Sequence, residues 1–266
     1  MISFSRKFCK HFSEVFGNPS RDARIGTVAK KRKGQYNIRK MEGVSKTMTQ
    51  QEARWFLSVE LLLYAAFLAL DLAGVGTLWS KGLKYTAILL CFFFALSRGR
   101  NADGRLTAAA LGFTLAADLF LLVLEREFLL GVCLFCAVQT LYLLRILRLQ
   151  KTGPGRSLLP RCLLALGTWG LLGSLGLLEP LTAAAAFYFS QLIANALQSA
   201  ALGRAYAGFT LGLWLFVCCD ICVGLHNLSA FLPAVYSGGV FAFADIGMWL
   251  FYLPSQVLIA LSAGKE

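Results

Sequence analysis

From Trp55 onward the chain alternates apolar runs of about 17–24 residues with short polar breaks, the run length a helix needs to cross ~30 Å of hydrocarbon. Eight such runs are read: 55–78, 82–97, 106–124, 128–147, 158–178, 181–202, 208–226 and 240–262. The breaks carry charges or turn residues, as in Arg98–Arg105, Glu125–Glu127, Lys151–Arg156 and Glu179-Pro180. The connection 227–239 is apolar but holds Asn227, Pro233 and Gly238-Gly239, and is expected to rest at the membrane interface. The pattern predicts an all-α membrane protein with a bundle of eight transmembrane helices over 55–262.

Composition supports this reading. The chain is 57% hydrophobic and 15% charged, well below the roughly 25% charge of soluble domains. Residues 1–54 hold half of the Lys and Arg, including Lys30-Lys31-Arg32-Lys33, and lack the apolar core and cleavage site of a secretory signal. That segment reads as a basic, flexible cytoplasmic tail that meets anionic lipid headgroups. The net charge of +12 is therefore no sign of a nucleic-acid partner. With the tail inside, every Lys and Arg falls on the inner side except Lys81, Lys84 and Arg126, so both termini are expected in the cytoplasm of a plasma-membrane protein.

Polar residues inside the runs carry the candidate chemistry. Asp118 sits in Leu115-Ala-Ala-Asp118-Leu-Phe-Leu and Asp220 in Phe216-Val-Cys-Cys-Asp220-Ile-Cys, about 100 residues apart. A carboxylate at membrane depth costs at least ~2.5–3.5 kcal/mol on insertion scales, so it faces a polar interior. Each aspartate precedes a helix with a Gln and a Tyr: Gln139 and Tyr142 after the first, Tyr252 and Gln256 after the second. That echo raises a four-plus-four parallel repeat, with a polar site between the halves. Glu60, Asp71, Lys84, Tyr188, Gln191, Asn195 and Asp245 are further polar positions, for which interhelical hydrogen bonding is the simpler reading. Cys133-x-x-Cys136 and Cys219-x-x-Cys222 have metal-like spacing, yet no His cluster accompanies them and Cys packs well as a small hydrophobe. Neither a metal nor a cofactor is expected.

Two carboxylates in similar frames supply one protonated and one ionised group for acid/base hydrolysis. The same pair equips a proton-coupled transporter, and a lipid-binding membrane protein without activity is a third reading. The residues alone do not separate these.

The order of motifs resembles the YhhN-like family of integral membrane proteins, over about residues 80–262. The resemblance rests on Lys84, on Ala117-Asp118, on Phe128, Gly131, Phe135, Gln139 and Tyr142, on Leu215-Phe-Val-Cys-Cys-Asp220, and on Tyr252-Leu-Pro-Ser-Gln256-Val-Leu-Ile259. Three positions depart from the family pattern: Gln139 for a usual His, Ala117 for Gly, and Pro254 inside the last motif. The family's animal members are lysoplasmalogenases, so the resemblance implies hydrolysis of the vinyl ether bond of a lysophospholipid. It implies Asp118 and Asp220 as the catalytic pair and Lys84 as a phosphate ligand. Gln139, Tyr142, Tyr188, Asn195, Tyr252 and Gln256 would line the headgroup pocket.

Overall fold

The computed structural model describes residues 50–74, 77–151, 155–231 and 238–265. Apart from 50–54, the basic tail lies outside the described residues. Among the described residues eight α-helices follow in order: α1 (Gln50–Leu72), then α2 (Thr77–Ser97), α3 (Ala102–Asp118), α4 (Phe128–Gln150), α5 (Gly155–Ser174), α6 (Pro180–Ser199), α7 (Ala207–Phe231) and α8 (Gly238–Leu261). No strand occurs among the described residues. Each expected span falls on one of these helices, with ends shifted by a turn or two.

The shifts have local causes. α3 starts inside what reads as a polar loop because the Asn101 side chain accepts the Gly104 N–H at 2.8 Å and caps the first turn. α6 opens on Glu179-Pro180 with a capping box to Thr182. α7 runs past the expected end at 226 to Phe231, and Asn227 donates back to the Val223 carbonyl at 2.8 Å. No Gly or Pro interrupts that extension. Residues 232–237, with Pro233, lie outside the described residues.

Six helices pack into a closed ring in the order α2, α3, α4, α6, α7, α8 and back to α2. α1 lies outside the ring against α2 and α8, with Phe56 stacked on Phe94 at 4.2 Å and Phe67 edge-on to Trp249 at 5.8 Å. α5 lies outside against α6, where Trp169 Nε1 donates to the Ala183 carbonyl at 2.9 Å. The tightest seam joins α7 and α8. A Cβ on Gly212 would sit 3.0 Å from the Ser255 carbonyl oxygen, and one on Gly247 would sit 2.8 Å from Cys222 Sγ.

Pro254 explains itself by its neighbour. A proline inside a helix leaves the carbonyl four residues back without its donor. That carbonyl belongs to Leu250, and the Tyr64 hydroxyl of α1 donates to it at 3.0 Å. The peripheral helix thus satisfies the group that the proline frees.

The exterior is apolar, and the interior combines an apolar core with a set of buried polar groups. Leu61, Leu62, Leu78, Trp79, Leu159, Leu163 and Phe243 are all more than half exposed, while Lys84, Asp103, Asp118, Gln139, Arg145, Arg161, Asn195 and Gln256 are buried. Lipid tails satisfy the exterior, so packing and interhelical hydrogen bonds hold the interior. Six helices are long and apolar enough to cross a bilayer: α1, α2, α3 with its C-terminal extension, α4, α7 and α8. The protein is a multi-pass membrane protein. α5 and α6 are more polar, with Arg156 and Arg161 on α5 and Ser190, Gln191, Asn195 and Gln198 on α6.

One end of the ring, where α8 finishes, is closed by an ion pair absent from the sequence reading. Arg145 of α4 forks onto Asp103 of α3, Nε to Oδ1 at 2.6 Å and Nη2 to Oδ2 at 3.0 Å, both side chains fully buried. Its remaining donors reach the Ser262 hydroxyl and carbonyl just past α8, each at 2.8 Å. The Gly264 N–H adds a 2.9 Å bond to Asp103. Gly264 has φ +69, and a Cβ there would meet the Arg98 carbonyl oxygen at 3.0 Å, so glycine alone fits. Arg145 and Arg161, which by sequence fall among the inner-loop cations, are interior residues.

Candidate active site

Asp118 is the last residue of α3, and the backbone widens directly after it. Leu119–Val123 form a single π-helical turn, with the Leu124 N–H reaching the Leu119 carbonyl at 2.9 Å. Such turns are frequent at functional sites, and this one ends the helix. Gly131 of α4 accommodates the swelling, since a Cβ there would come within 2.6 Å of the Leu121 side chain. The Asp118 carboxyl is buried, and the Tyr252 hydroxyl from α8 donates to Oδ2 at 2.7 Å. Tyr252 leans on Trp249, ring centroids 5.3 Å apart.

Lys84 borders this corner. Its ammonium lies 4.7 Å from the centre of the Trp249 ring and pairs with Asp71 of α1 at 2.8 Å. Ser80 also donates to Asp71. The charge of Lys84 is therefore already engaged within the bundle.

Asp220 lies midway along α7, half-buried, with Oδ2 enclosed and without a close hydrogen-bond partner. The Tyr188 phenol of α6 faces it as a hydrogen-bonding neighbour, in a looser contact than the 2.7 Å bond of Tyr252 to Asp118. Phe216, one turn before Asp220, joins the two aspartate corners. Its ring lies 5.5 Å from Tyr252, 5.8 Å from Phe135 and 6.4 Å from Tyr188. The Cys219 thiol feels both carboxylates. Four expected residues, Asp118, Asp220, Tyr188 and Tyr252, thus gather around one aromatic cluster, with Lys84 at its edge.

Gln139 and Asn195 belong to a neighbouring network. Asn195 Nδ2 donates to both the side-chain and main-chain oxygens of Gln139, each at 2.9 Å, and Asn195 Oδ1 accepts from Arg161 of α5 at 2.8 Å. Tyr142 packs edge-on against Phe209 at 5.6 Å with its hydroxyl unpaired. Gln256 is fully buried with neither amide atom paired.

Buried polar atoms without partners therefore recur around the ring: on Thr114 (α3), Gln139 and Tyr142 (α4), Tyr188 (α6), Asp220 (α7), and Ser255 and Gln256 (α8). Folded proteins pair such groups with protein, water or ligand. They recur on five ring helices, with Thr114 beside Tyr142 and Tyr188 beside Asp220, where buried water is the usual further partner. Among the described residues no group of three His, Cys, Asp or Glu could hold a metal ion, and the cysteines there are free thiols.

Sequence reasoning does not single out Phe216, Trp249 or Arg161 as site residues, and it reads Cys219 as a packing residue. The arginine carries a readable signal, an ionisable side chain at the edge of an apolar run. The aromatic residues carry none, because one apolar residue among many has no contrast.

A family model described as the YhhN family matches residues 79–263. A comparison with curated proteins and one with solved structures find no match.

Proposed function

The chain belongs to the YhhN family, and on that footing we propose that it is a membrane hydrolase that cleaves the vinyl ether bond of lysoplasmalogens. The products are a fatty aldehyde and glycerophosphoethanolamine or glycerophosphocholine. The observation that carries this reading is the contrast between two carboxyls beside one aromatic cluster: Asp118 accepts a 2.7 Å hydrogen bond from Tyr252, and Asp220 has only a looser contact with Tyr188.

The contrast divides the roles. Asp118, oriented by a donor, serves as the carboxylate. Asp220, in the looser contact, carries the proton. In the first step Asp220 gives its proton to the β-carbon of the enol ether, whose C=C electron pair forms the new C–H bond. The ether oxygen shares its lone pair with the α-carbon, giving an oxocarbenium ion. Water adds to that carbon while its proton passes to Asp118, as in glycoside hydrolysis by paired carboxyls. The hemiacetal then collapses: its hydroxyl proton returns to Asp220, the C–O bond breaks, and the glycerol oxygen takes the proton held by Asp118. In total, one water is consumed and both carboxyls return to their starting states.

The membrane arrangement of this reading has all eight helices crossing and both ends in the cytoplasm of a plasma-membrane protein, with the basic tail against anionic headgroups. α5 and α6 have 20 residues each, enough for ~30 Å at 1.5 Å per residue. α6 is also a member of the ring.

The test is aldehyde release from a lysoplasmalogen by purified protein in detergent. Release that vanishes in Asp118→Asn and Asp220→Asn supports the mechanism, and undiminished release in both removes it. No release from the parent protein, with proton-dependent uptake into vesicles, would point to a transporter.

A further inference from the structure

The network around Asn195 has a direction, and the direction specifies a ligand. A guanidinium can only donate hydrogen bonds and a main-chain carbonyl can only accept them. Asn195 lies between one of each: Arg161 Nη2 donates to its Oδ1 at 2.8 Å, and its Nδ2 donates to the Gln139 carbonyl at 2.9 Å. The amide of Asn195 therefore has a single orientation. Its Nδ2 also meets Gln139 Oε1 at 2.9 Å, so Gln139 must show its oxygen to Asn195 and turn its NH2 group away. That NH2 group is fully buried and has no partner.

The relay starts from a positive charge. Arg161 is buried, and among the described residues its guanidinium meets Ser157, Gln191, Asn195 and Gln198 oxygens and no carboxylate. Every link from Arg161 to Gln139 passes donors in one sense, so the far end offers N–H groups backed by a cation. Such an end suits an anionic, acceptor-only group. Gln139 lies one turn from Phe135, whose ring packs on Tyr188 and Phe216 beside Asp220. Lys84, by contrast, already directs its charge to Asp71.

We propose that the Gln139 amide, held by the Arg161–Asn195 relay, is the subsite for the phosphate group of a lysophospholipid headgroup. The proposal rests on the lipid-hydrolase reading for the placement of the substrate but not on the chemistry of the aspartates. It also gives Gln139 a role that needs no titration: a neutral amide binds where the family's histidine stands.

The experiment measures binding to the purified full chain in detergent, using lysophosphatidylcholine and a monoacylglycerol of the same acyl chain. The parent protein is expected to bind the phosphate-bearing lipid about tenfold more tightly or better, as charge-assisted hydrogen bonds imply. Gln139→Glu, which places an anion in the subsite, should abolish the preference, and Gln139→His, which keeps a donor, should retain it. Asn195→Asp should abolish it too, because aspartate pairs with Arg161 and holds the fold while removing the donors that orient Gln139. Equal binding of the two lipids by the parent protein overturns the subsite, and so does a preference that survives both Gln139→Glu and Asn195→Asp. Displacement of the lysolipid by millimolar inorganic phosphate would assign the site to free phosphate and overturn the headgroup. If aldehyde release fails while the preference stands, the hydrolase reading falls and the subsite survives. If aldehyde is released but the two lipids bind equally, the subsite falls and the hydrolase reading survives.

Discussion

The two halves of the bundle, α1–α4 and α5–α8, use one frame for different electrostatics. In each, the first helix lies outside the ring and sends a buried polar side chain to the second: Glu60 meets Cys91 Sγ at 3.5 Å, and Arg161 meets Asn195 at 2.8 Å. In each, the third helix carries the aspartate. The second helices set Tyr85 and Tyr188 near Asp118 and Asp220 respectively. The differences are as informative. The first half brings carboxylates on its outer helix and pairs Asp71 with Lys84, whereas the second brings an arginine with amide and hydroxyl partners. Asp118 is followed by a π turn and bonded by Tyr252 from the opposite half, while Asp220 sits in an unbroken helix beside Tyr188 of its own half. One half orients its carboxyl with a borrowed donor, and the other leaves its carboxyl open.

The comparison breaks first at the aspartates. Asp118→Asn and Asp220→Asn should each lower aldehyde release by about 100-fold or more, the scale of a lost acid or base. Retention of full rate by one of them would mean that the halves do not share the work. Next comes the clamp around Asp103. Arg145→Met leaves Asp103 buried and unpaired and should cost about 3–5 kcal/mol in stability, read as a lowered midpoint of thermal unfolding in detergent. Adding Asp103→Asn should recover much of that loss. Tyr252→Phe then sharpens the division of roles. A hydrogen bond to a charged group contributes about 1.5–3 kcal/mol, so the turnover rate should fall roughly tenfold or more, while Tyr188→Phe, which removes only a looser contact with Asp220, should lower it less. Equal losses would erase the distinction between the two carboxyls. The smallest effect belongs to Lys81→Gln. Its 2.6 Å pair with Glu125 is solvent-exposed, so the change should stay below about 1 kcal/mol and shrink with added salt.

Much of the fold is legible in the sequence because run length and charged breaks report membrane depth directly. All eight expected spans lie on helices, and Asp118, Asp220, Tyr188 and Tyr252 stand out as polar positions in apolar text. Their gathering is not legible. In lipid the outward and inward faces of a helix are both apolar, so no periodic contrast tells which of Phe216, Trp249 or Leu250 turns inward. Arg145 and Arg161 read as loop charges because they lie near the ends of their runs, where a buried cation and an interfacial one look alike. The π turn after Asp118 has no local signal either: Leu119–Val123 reads as ordinary helix former until Gly131 is seen to yield space across the seam.

The clamp of Asp103, Arg145, Ser262 and Gly264 also sets a timetable. Synthesis runs from the N-terminus, so Asp103 emerges before Arg145 on α4, and both precede Ser262 and Gly264. α8 closes the ring against α2 and delivers Tyr252 to Asp118. Until that helix is released, the earlier helices hold Lys84 and Asp118 in an open arc without their final neighbours. Enclosure of the ring is thus the contribution of α8, the last of the described helices, through its contacts with α2 and α7.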